Sequence, residues 1–160
     1  MTDLMQMSTE VVNQFLSRGL TLGTAESLTG GMISASVASV SGASAVLMGG
    51  IVSYDPRIKH ELLGVTMEVI DGAGVVSSEC ASQMARGARI ALSVDVAISA
   101  TGIAGPTGGT NETPVGTVFL GVSTAKQTHT VKCLFDGGRQ SVREQSALHA
   151  LQLALAAIQE

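Results

Sequence analysis

Apolar and polar positions recur along the chain with two different periods, and the places where the period changes mark out its elements. Leu4, Met7, Val11, Val12, Phe15 and Leu16 repeat at helical spacing between Asp3 and Arg18, with Gly19 as the stop. Leu20 to Ala25 is short and half apolar, which suits a strand. Gly30 to about Val40, rich in Ala35, Ser36, Ala38 and Ser39, reads as a helix pressed closely on a sheet. Ala45 to Tyr54 predicts an apolar strand weakened by Gly49 and Gly50. Asp55-Pro56 breaks it and opens a short helix from Arg57 to Leu63, since proline carries no amide to lose at a first helical position. Thr66 to Ile70 predicts one more turn of helix before the Gly72-Ala73-Gly74 break. Ser78 is the expected cap of a helix whose inner side holds Ala81, Met84, Ala85, Ala88, Ala91 and Leu92. Val94, Val96 and Ile98 alternate into a buried strand. Val115 to Thr124 and Thr128 to Phe135 read as an antiparallel pair, and a last helix runs from about Arg139 with Val142, Ser146, Leu148, Leu151, Leu155 and Ile158 near one side.

Helices before and between strands, then a hairpin and a closing helix, predict an α/β fold. The expected form is a three-layer α/β/α sandwich on a mixed, mostly parallel sheet that includes an antiparallel hairpin. With no internal repeat or linker, residues 1–160 are expected to form a single domain, long enough to bury roughly 70% of the unfolded surface. Ligands of such sheets gather where strands exit into loops. Three polar loops hold that position: Ser27 to Gly31, Tyr54 to Lys59, and Thr101 to Gly109.

Composition narrows the classes. Apolar residues make up 45% of the chain but aromatics only 2%, so the core must be built from closely packed aliphatic side chains. The net charge of −4, with no run of Lys and Arg, argues against a nucleic-acid surface. Cys80 and Cys133 lack metal-like spacing and are expected to be reduced, structural thiols. The start Met1-Thr2-Asp3 is unlike a signal peptide, and no apolar run reaches the roughly 18 residues of a membrane span, so a soluble cytoplasmic protein with no membrane partner is expected.

The candidate chemistry lies in the loops. Gly102 to Gly109 is not a phosphate-binding Walker loop, because no Lys-Ser or Lys-Thr follows, and it lacks the dinucleotide fingerprint. His60, His129 and His149 have neither metal-ligand spacing nor nearby partners, so no metal site and no cofactor are expected. Ser27 and Thr29, at a strand-to-helix turn, either cap the helix or join its free amides in holding an anionic group. Without a histidine base, a serine nucleophile needs Lys or Tyr to take its proton, and Tyr54 with Lys59 forms the conspicuous pair. For Lys59 to be neutral near pH 7 its pKa must fall by roughly 3 units, which demands burial or a nearby cation. The alternative is a solvated Lys59 paired with Asp55 or Glu61.

Several segments, in order, carry a resemblance: Thr24-Ala25-Glu26-Ser27-Leu28-Thr29-Gly30-Gly31, Ser41-Gly42-Ala43-Ser44, Gly50-Ile51-Val52-Ser53-Tyr54 through Lys59, Leu63-Gly64-Val65, Gly74-Val75-Val76-Ser77, Thr101 through Gly109, and Pro114-Val115-Gly116-Thr117-Val118. Together they resemble the C-terminal domain family of the competence/damage-inducible protein CinA, whose stand-alone members are nicotinamide-nucleotide amidohydrolases. The resemblance implies hydrolysis of nicotinamide mononucleotide to nicotinic acid mononucleotide and ammonia, a step of pyridine-nucleotide recycling. It also implies a reactive set of Ser44, Tyr54 and Lys59 with Ser27 opposite. Ser44 is the favoured nucleophile, relayed through Tyr54 and Lys59, and Ser27 is its rival. Amides near Gly30 and Gly31 would then receive the oxyanion. Thr29 lies in the same turn. Thr101, Gly102 and Gly105 fall in the segment that resembles the family's substrate-holding loop. Arg139 matches its nucleotide-anchoring arginine, and Arg143 is a second candidate one turn on.

The chain departs from the family pattern at Leu28, where Cys is frequent, at Pro56, where Asn is common, and at Gly138, where Asp commonly precedes the arginine. Two other readings stand beside the amidase. One is a nucleotide-sensing or protein-interaction module that keeps the pocket without efficient turnover. The other is a dehydrogenase-like use of Tyr54 and Lys59, which fits poorly because the dinucleotide loop is missing. The expected partner is a small mononucleotide, and the expected assembly a homo-oligomer, with a dimer favoured.

Overall fold

The computed structural model describes all 160 residues. Helix α1 (Asp3–Arg18) is capped by Thr2, whose side chain accepts from the Met5 amide, and ends at Gly19 in the left-handed region. There follow β1 (Leu22–Glu26), α2 (Met32–Ala38), a 3-10 turn (Ala43–Ala45), β2 (Leu47–Val52), α3 (Pro56–Leu63) and α4 (Met67–Asp71). The second half comprises α5 (Ser78–Leu92), β3 (Val96–Gly102), β4 (Thr117–Ser123), β5 (Thr128–Leu134) and α6 (Arg139–Ala157). The element pattern expected from periodicity is present, with boundaries shifted by a few residues. The cap of α5 is Ser77 and not Ser78: the Ser77 hydroxyl accepts from the Cys80 amide at 3.1 Å, while Ser78 already lies in the helix.

All five strands form one sheet in the order β2-β1-β3-β4-β5. The pairings of β1 with β2 and with β3 are parallel, those of β4 with β3 and with β5 antiparallel, so β4 alone runs against the rest. Helices α1, α2 and α6 cover one face, while α5 covers the other with α3 and α4 against it. The sandwich is therefore three-layered. Every residue of central β1 is buried, whereas edge strand β2 alternates between more and less covered positions, the pattern of a strand with one neighbour.

Aliphatic packing fills both interfaces. Phe15, Leu22, Ile33, Ile98, Leu120 and Leu151 anchor the larger core under α1, α2 and α6, and Leu63, Val65, Met84 and Ala97 belong to the smaller one under α5. Close approach replaces aromatic bulk. A Cβ on Gly121 would stand 2.6 Å from the carbonyl oxygen of Ala81, and a Cβ on Gly23 would stand 2.7 Å from Leu92 Cδ1, so these glycines let α5 settle directly on the sheet. No helix is long and apolar enough to cross a membrane.

Candidate active site

Register brings the loops together. Glu26 at the end of β1 is level with Val52 of β2 and Ala100 of β3, so Ser27 and Ser53 leave the sheet beside Thr101, the last residue but one of β3. Convergence of the three polar loops thus follows from parallel pairing of their strands. A cleft of about 250 Å³ opens there, lined by Ser27, Leu28, Tyr54, Lys59, Val75, Val76, Thr101 through Gly105, Thr107 and Arg139.

Asp55 caps α3 through the Arg57 amide, and Pro56 fixes the first turn, which aims Lys59 inward one turn later. Lys59 is 1% exposed. Its Nζ lies 2.8 Å from the Ser53 carbonyl oxygen, 3.1 Å from that of Tyr54 and 3.0 Å from Ser27 Oγ. Burial lowers the Lys59 pKa from 10.5, against the opposing influence of Cys80 and Asp55. A neutral amine has two N–H groups and one lone pair. With both N–H groups given to the two carbonyls, the lone pair faces the Ser27 hydroxyl and can receive its proton. Once protonated, the ammonium donates to the same three oxygens, so one geometry serves both states. The solvated Lys59 paired with Asp55 or Glu61 is thereby ruled out: Glu61 pairs instead with Arg57 at 2.8 Å.

Ser44 is placed elsewhere, which corrects its expected role. It is exposed on the 3-10 turn that precedes β2, and the strand, on the order of 17 Å long, separates it from Lys59 at the opposite end of the sheet. Ser27 is the hydroxyl beside the amine. The Tyr54 relay is corrected as well. Tyr54 is 59% exposed and its phenol receives a hydrogen bond from Arg139 Nη2 at 3.0 Å, while its backbone carbonyl is what accepts from Lys59.

The turn after Ser27 is shaped by two side chains: Glu26, to which the sequence assigned no role, and Arg143, which was expected to meet the ligand instead. Glu26, fully buried, accepts from the Gly31 amide at 3.2 Å and the Ile33 amide at 2.9 Å through Oε1. Its Oε2 accepts from the Ser34 amide at 3.0 Å, the Ser34 hydroxyl at 2.8 Å and the Thr24 hydroxyl at 3.1 Å. An acidic residue ending a strand one turn ahead of a helix was the available signal. The second group is Arg143, which donates from Nε to the Leu28 carbonyl at 2.8 Å and from Nη2 to the Thr29 carbonyl at 3.0 Å. Gly30 and Gly31 adopt φ of +58° and +104°, which lets the chain fold back onto both anchors.

These contacts revise the expected oxyanion donors. The Gly30 amide donates to the Ser27 carbonyl at 3.0 Å and the Gly31 amide to Glu26, so both are committed. The amides of Leu28 and Thr29 have no acceptor within the protein. Thr29 Oγ1 is likewise buried without a partner.

Arg139 stands at the opening of α6 and donates to the Gly105 carbonyl at 2.9 Å as well as to Tyr54, which ties the glycine-rich loop to the α3 side of the cleft. Gly138 caps α6 without a side-chain bond, leaving the first amides of a 19-residue helix open beside the guanidinium. Thr101 directs its hydroxyl to the Val75 carbonyl at 2.6 Å and holds the cleft wall. Gly102 admits the carbonyl of Thr117, since a Cβ there would meet that oxygen at 2.6 Å. Arg143, expected as a second anchor, is spent on the Ser27 turn.

Arg139 supplies the fixed charge lining the cleft, a cation in a chain of net charge −4. Val75, Val76, Ile103 and Ala104 supply apolar walls. The cleft thus joins one fixed positive charge to aliphatic walls. The three histidines are exposed away from it, and no three His, Cys, Asp or Glu side chains converge anywhere in the chain. Both cysteines are free thiols, with burial pushing Cys80 up to about 11.

The family model for the CinA C-terminal domain matches residues 4–158. A CinA-like protein of Kosmotoga olearia is 42% identical over 148 residues, covering 92% of this chain and 36% of its own length. A CinA-like protein of Dictyoglomus turgidum is 42% identical over 143 residues, covering 89% and 35% respectively. The chain thus spans about a third of the curated relatives it matches. Among solved structures, the competence/damage-inducible protein CihA of Agrobacterium tumefaciens superposes with a TM-score of 0.95 at 34% identity, covering 100% of this chain and 98% of its own. A competence or damage-inducible protein of Enterobacter asburiae gives 0.92 at 30% identity, covering 97% and 98%. With matching sequence, fold and length of domain, the chain belongs to the CinA C-terminal domain family.

Proposed function

We propose that the chain is a nicotinamide-nucleotide amidohydrolase that converts nicotinamide mononucleotide to nicotinic acid mononucleotide and ammonia by serine/lysine amidase chemistry. The observation that carries this reading is the buried Lys59 amine, 3.0 Å from Ser27 Oγ, with its other two positions taken by carbonyls.

Ser27 Oγ attacks the carboxamide carbon while its proton passes to Lys59 Nζ. The tetrahedral oxyanion is received by the free amides of Leu28 and Thr29. Lys59 then returns the proton to the departing nitrogen, ammonia leaves, and a nicotinoyl ester remains on Ser27. Water attacks that ester with Lys59 as base, which releases the acid and restores the hydroxyl. The phosphate of the substrate is met by Arg139 and the open amides of α6, and the pyridine ring by the apolar wall of Val75, Val76 and Ile103.

Purified protein incubated with nicotinamide mononucleotide, with and without a chelator, is expected to release ammonia at equal rates, and Ser27→Ala to release none. Absence of ammonia from the unaltered protein would refute the substrate, and loss of activity with chelator would refute the Ser/Lys mechanism.

A further inference from the structure

We propose that Arg143 is a positioning residue that sets the oxyanion-receiving amides of the Ser27 turn. The inference rests on the Ser27–Lys59 reading above and assigns the means by which that site is kept ready.

The geometry begins with the peptide unit. In a trans peptide the C=O and the following N–H point in opposite directions. Holding one therefore aims the other. In the Ser27 turn all three consecutive carbonyls are held: Ser27 O by the Gly30 amide at 3.0 Å, Leu28 O by Arg143 Nε alone at 2.8 Å, and Thr29 O by Arg143 Nη2 at 3.0 Å together with the Met32 amide at 3.0 Å. The Leu28 N–H opposes the Ser27 carbonyl, and the Thr29 N–H opposes the Leu28 carbonyl that Arg143 grips. These are the two amides of the turn without an acceptor. Without the guanidinium, the Leu28 carbonyl has no other donor in the protein, and its peptide plane is free to rotate and carry the Thr29 N–H with it.

Arg143 is suited to this work and unsuited to a ligand. Its remaining contact is Nη1 to Gln140 Oε1 at 3.1 Å, so three of its edges are engaged by the protein. The ligand-facing arginine is Arg139, one turn earlier on the same side of α6, and it alone of the two lines the cleft. On the far side of the turn, Glu26 holds the amides of Gly31, Ile33 and Ser34. The turn is thus held from α6 by the carbonyls of Leu28 and Thr29 and from β1 by the amides that follow, with the N–H groups of Leu28 and Thr29 left over. A lysine at 143 would supply a point donor on a flexible stem and could not hold two carbonyls as a planar fork does.

The test measures turnover of nicotinamide mononucleotide and, separately, phosphonylation of Ser27 by a fluorophosphonate. In the latter, Ser27 Oγ forms the O–P bond, fluoride leaves and the proton passes to Lys59, with negative charge gathering on the phosphoryl oxygen. Arg143→Ala is expected to lower kcat and the labelling rate together by about 10²–10³-fold, the effect of losing an oxyanion donor, with KM within about threefold. Guanidinium at sub-denaturing concentration is expected to restore part of both rates. Arg143→Lys is expected to remain slow, and it decides the matter should the alanine variant not fold. A raised KM at unchanged kcat, or wild-type rates in Arg143→Lys, would overturn the positioning role. No labelling of the unaltered protein would remove Ser27 and this inference with it. Labelling without nucleotide turnover would refute only the substrate, and Arg143 would then be judged by the labelling rate.

Discussion

Replacing Glu26 with glutamine tests whether a single buried carboxylate holds the Ser27 turn to the sheet. The carboxylate takes five donors, three of them backbone amides whose direction cannot change. A glutamine has one acceptor oxygen and one NH₂ group. Its better orientation keeps oxygen toward the Gly31 and Ile33 amides and turns NH₂ toward Ser34, where the Thr24 and Ser34 hydroxyls can rotate to accept but the Ser34 amide cannot. One largely buried donor is then stranded, at about 1–3 kcal/mol. The two retained amide bonds fall from charge-assisted to neutral strength, about 1 kcal/mol each, and the favourable charge at the start of α2 is lost, about 0.3–1 kcal/mol. Because these effects share one group they do not add fully, and a net loss of about 3 kcal/mol is expected, a large part of a typical 5–15 kcal/mol. Denaturant unfolding should show a lower midpoint at unchanged slope, and thermal unfolding a fall of about 6–12 °C. Glu26→Asp, one methylene too short to reach α2, should lose a similar amount. A change under 1 kcal/mol in Glu26→Gln would refute the anchoring argument.

Lys59 makes activity rise with pH: its pKa lies below 10.5 because burial disfavours the ammonium, so kcat/KM should climb as the amine loses its proton and level off above that value. A flat or falling profile would contradict it. The same shift bears on stability. Between the lowered folded pKa and 10.5 the unfolded chain binds more protons, so stability should rise with pH across that window, and Lys59→Met should abolish the rise in denaturant unfolding at stepped pH. Arg139→Ala should raise KM for the nucleotide at least tenfold while changing kcat much less, as initial-rate kinetics would reveal; an unchanged KM would remove Arg139 as the phosphate anchor. Gly87→Ala should destabilise the fold by about 3 kcal/mol or more, since its Cβ would fall on the Leu63 carbonyl oxygen where α5 crosses the end of α3, and thermal unfolding within 1 °C of wild type would contradict that packing.

The sandwich was legible because its cues are local and repeated. Helical spacing of Leu4, Met7, Val11 and Phe15, alternation at Val94, Val96 and Ile98, and breaks at Gly19 and Asp55-Pro56 each reflect a short-range rule, and together they imply one way to bury the apolar faces. The place of Lys59, one turn into α3, was legible too, because Asp55-Pro56 opens that helix, but its burial was not, since a solvated Lys59 fitted the same pattern. The choice of serine was not. Ser27 and Ser44 both lie in hydroxyl- and glycine-rich turns, and only the parallel register of β1 with β2 reveals that one turn enters a strand at the far end while the other leaves at the site. Tyr54 misled for a related reason: its carbonyl, invisible to side-chain reasoning, meets the amine, while its phenol turns outward to Arg139. Glu26 and Arg143 reach across from other elements to backbone atoms, and no spacing rule connects residue 143 to carbonyls 28 and 29.

The most direct measurement of the central claim is to quench turnover of nicotinamide mononucleotide rapidly and locate the acyl group by peptide mass spectrometry. A nicotinoyl ester on the peptide bearing Ser27, absent from Ser27→Ala and undisturbed in Ser44→Ala, is the predicted result. An ester on Ser44, or turnover that persists in Ser27→Ala, would contradict the account.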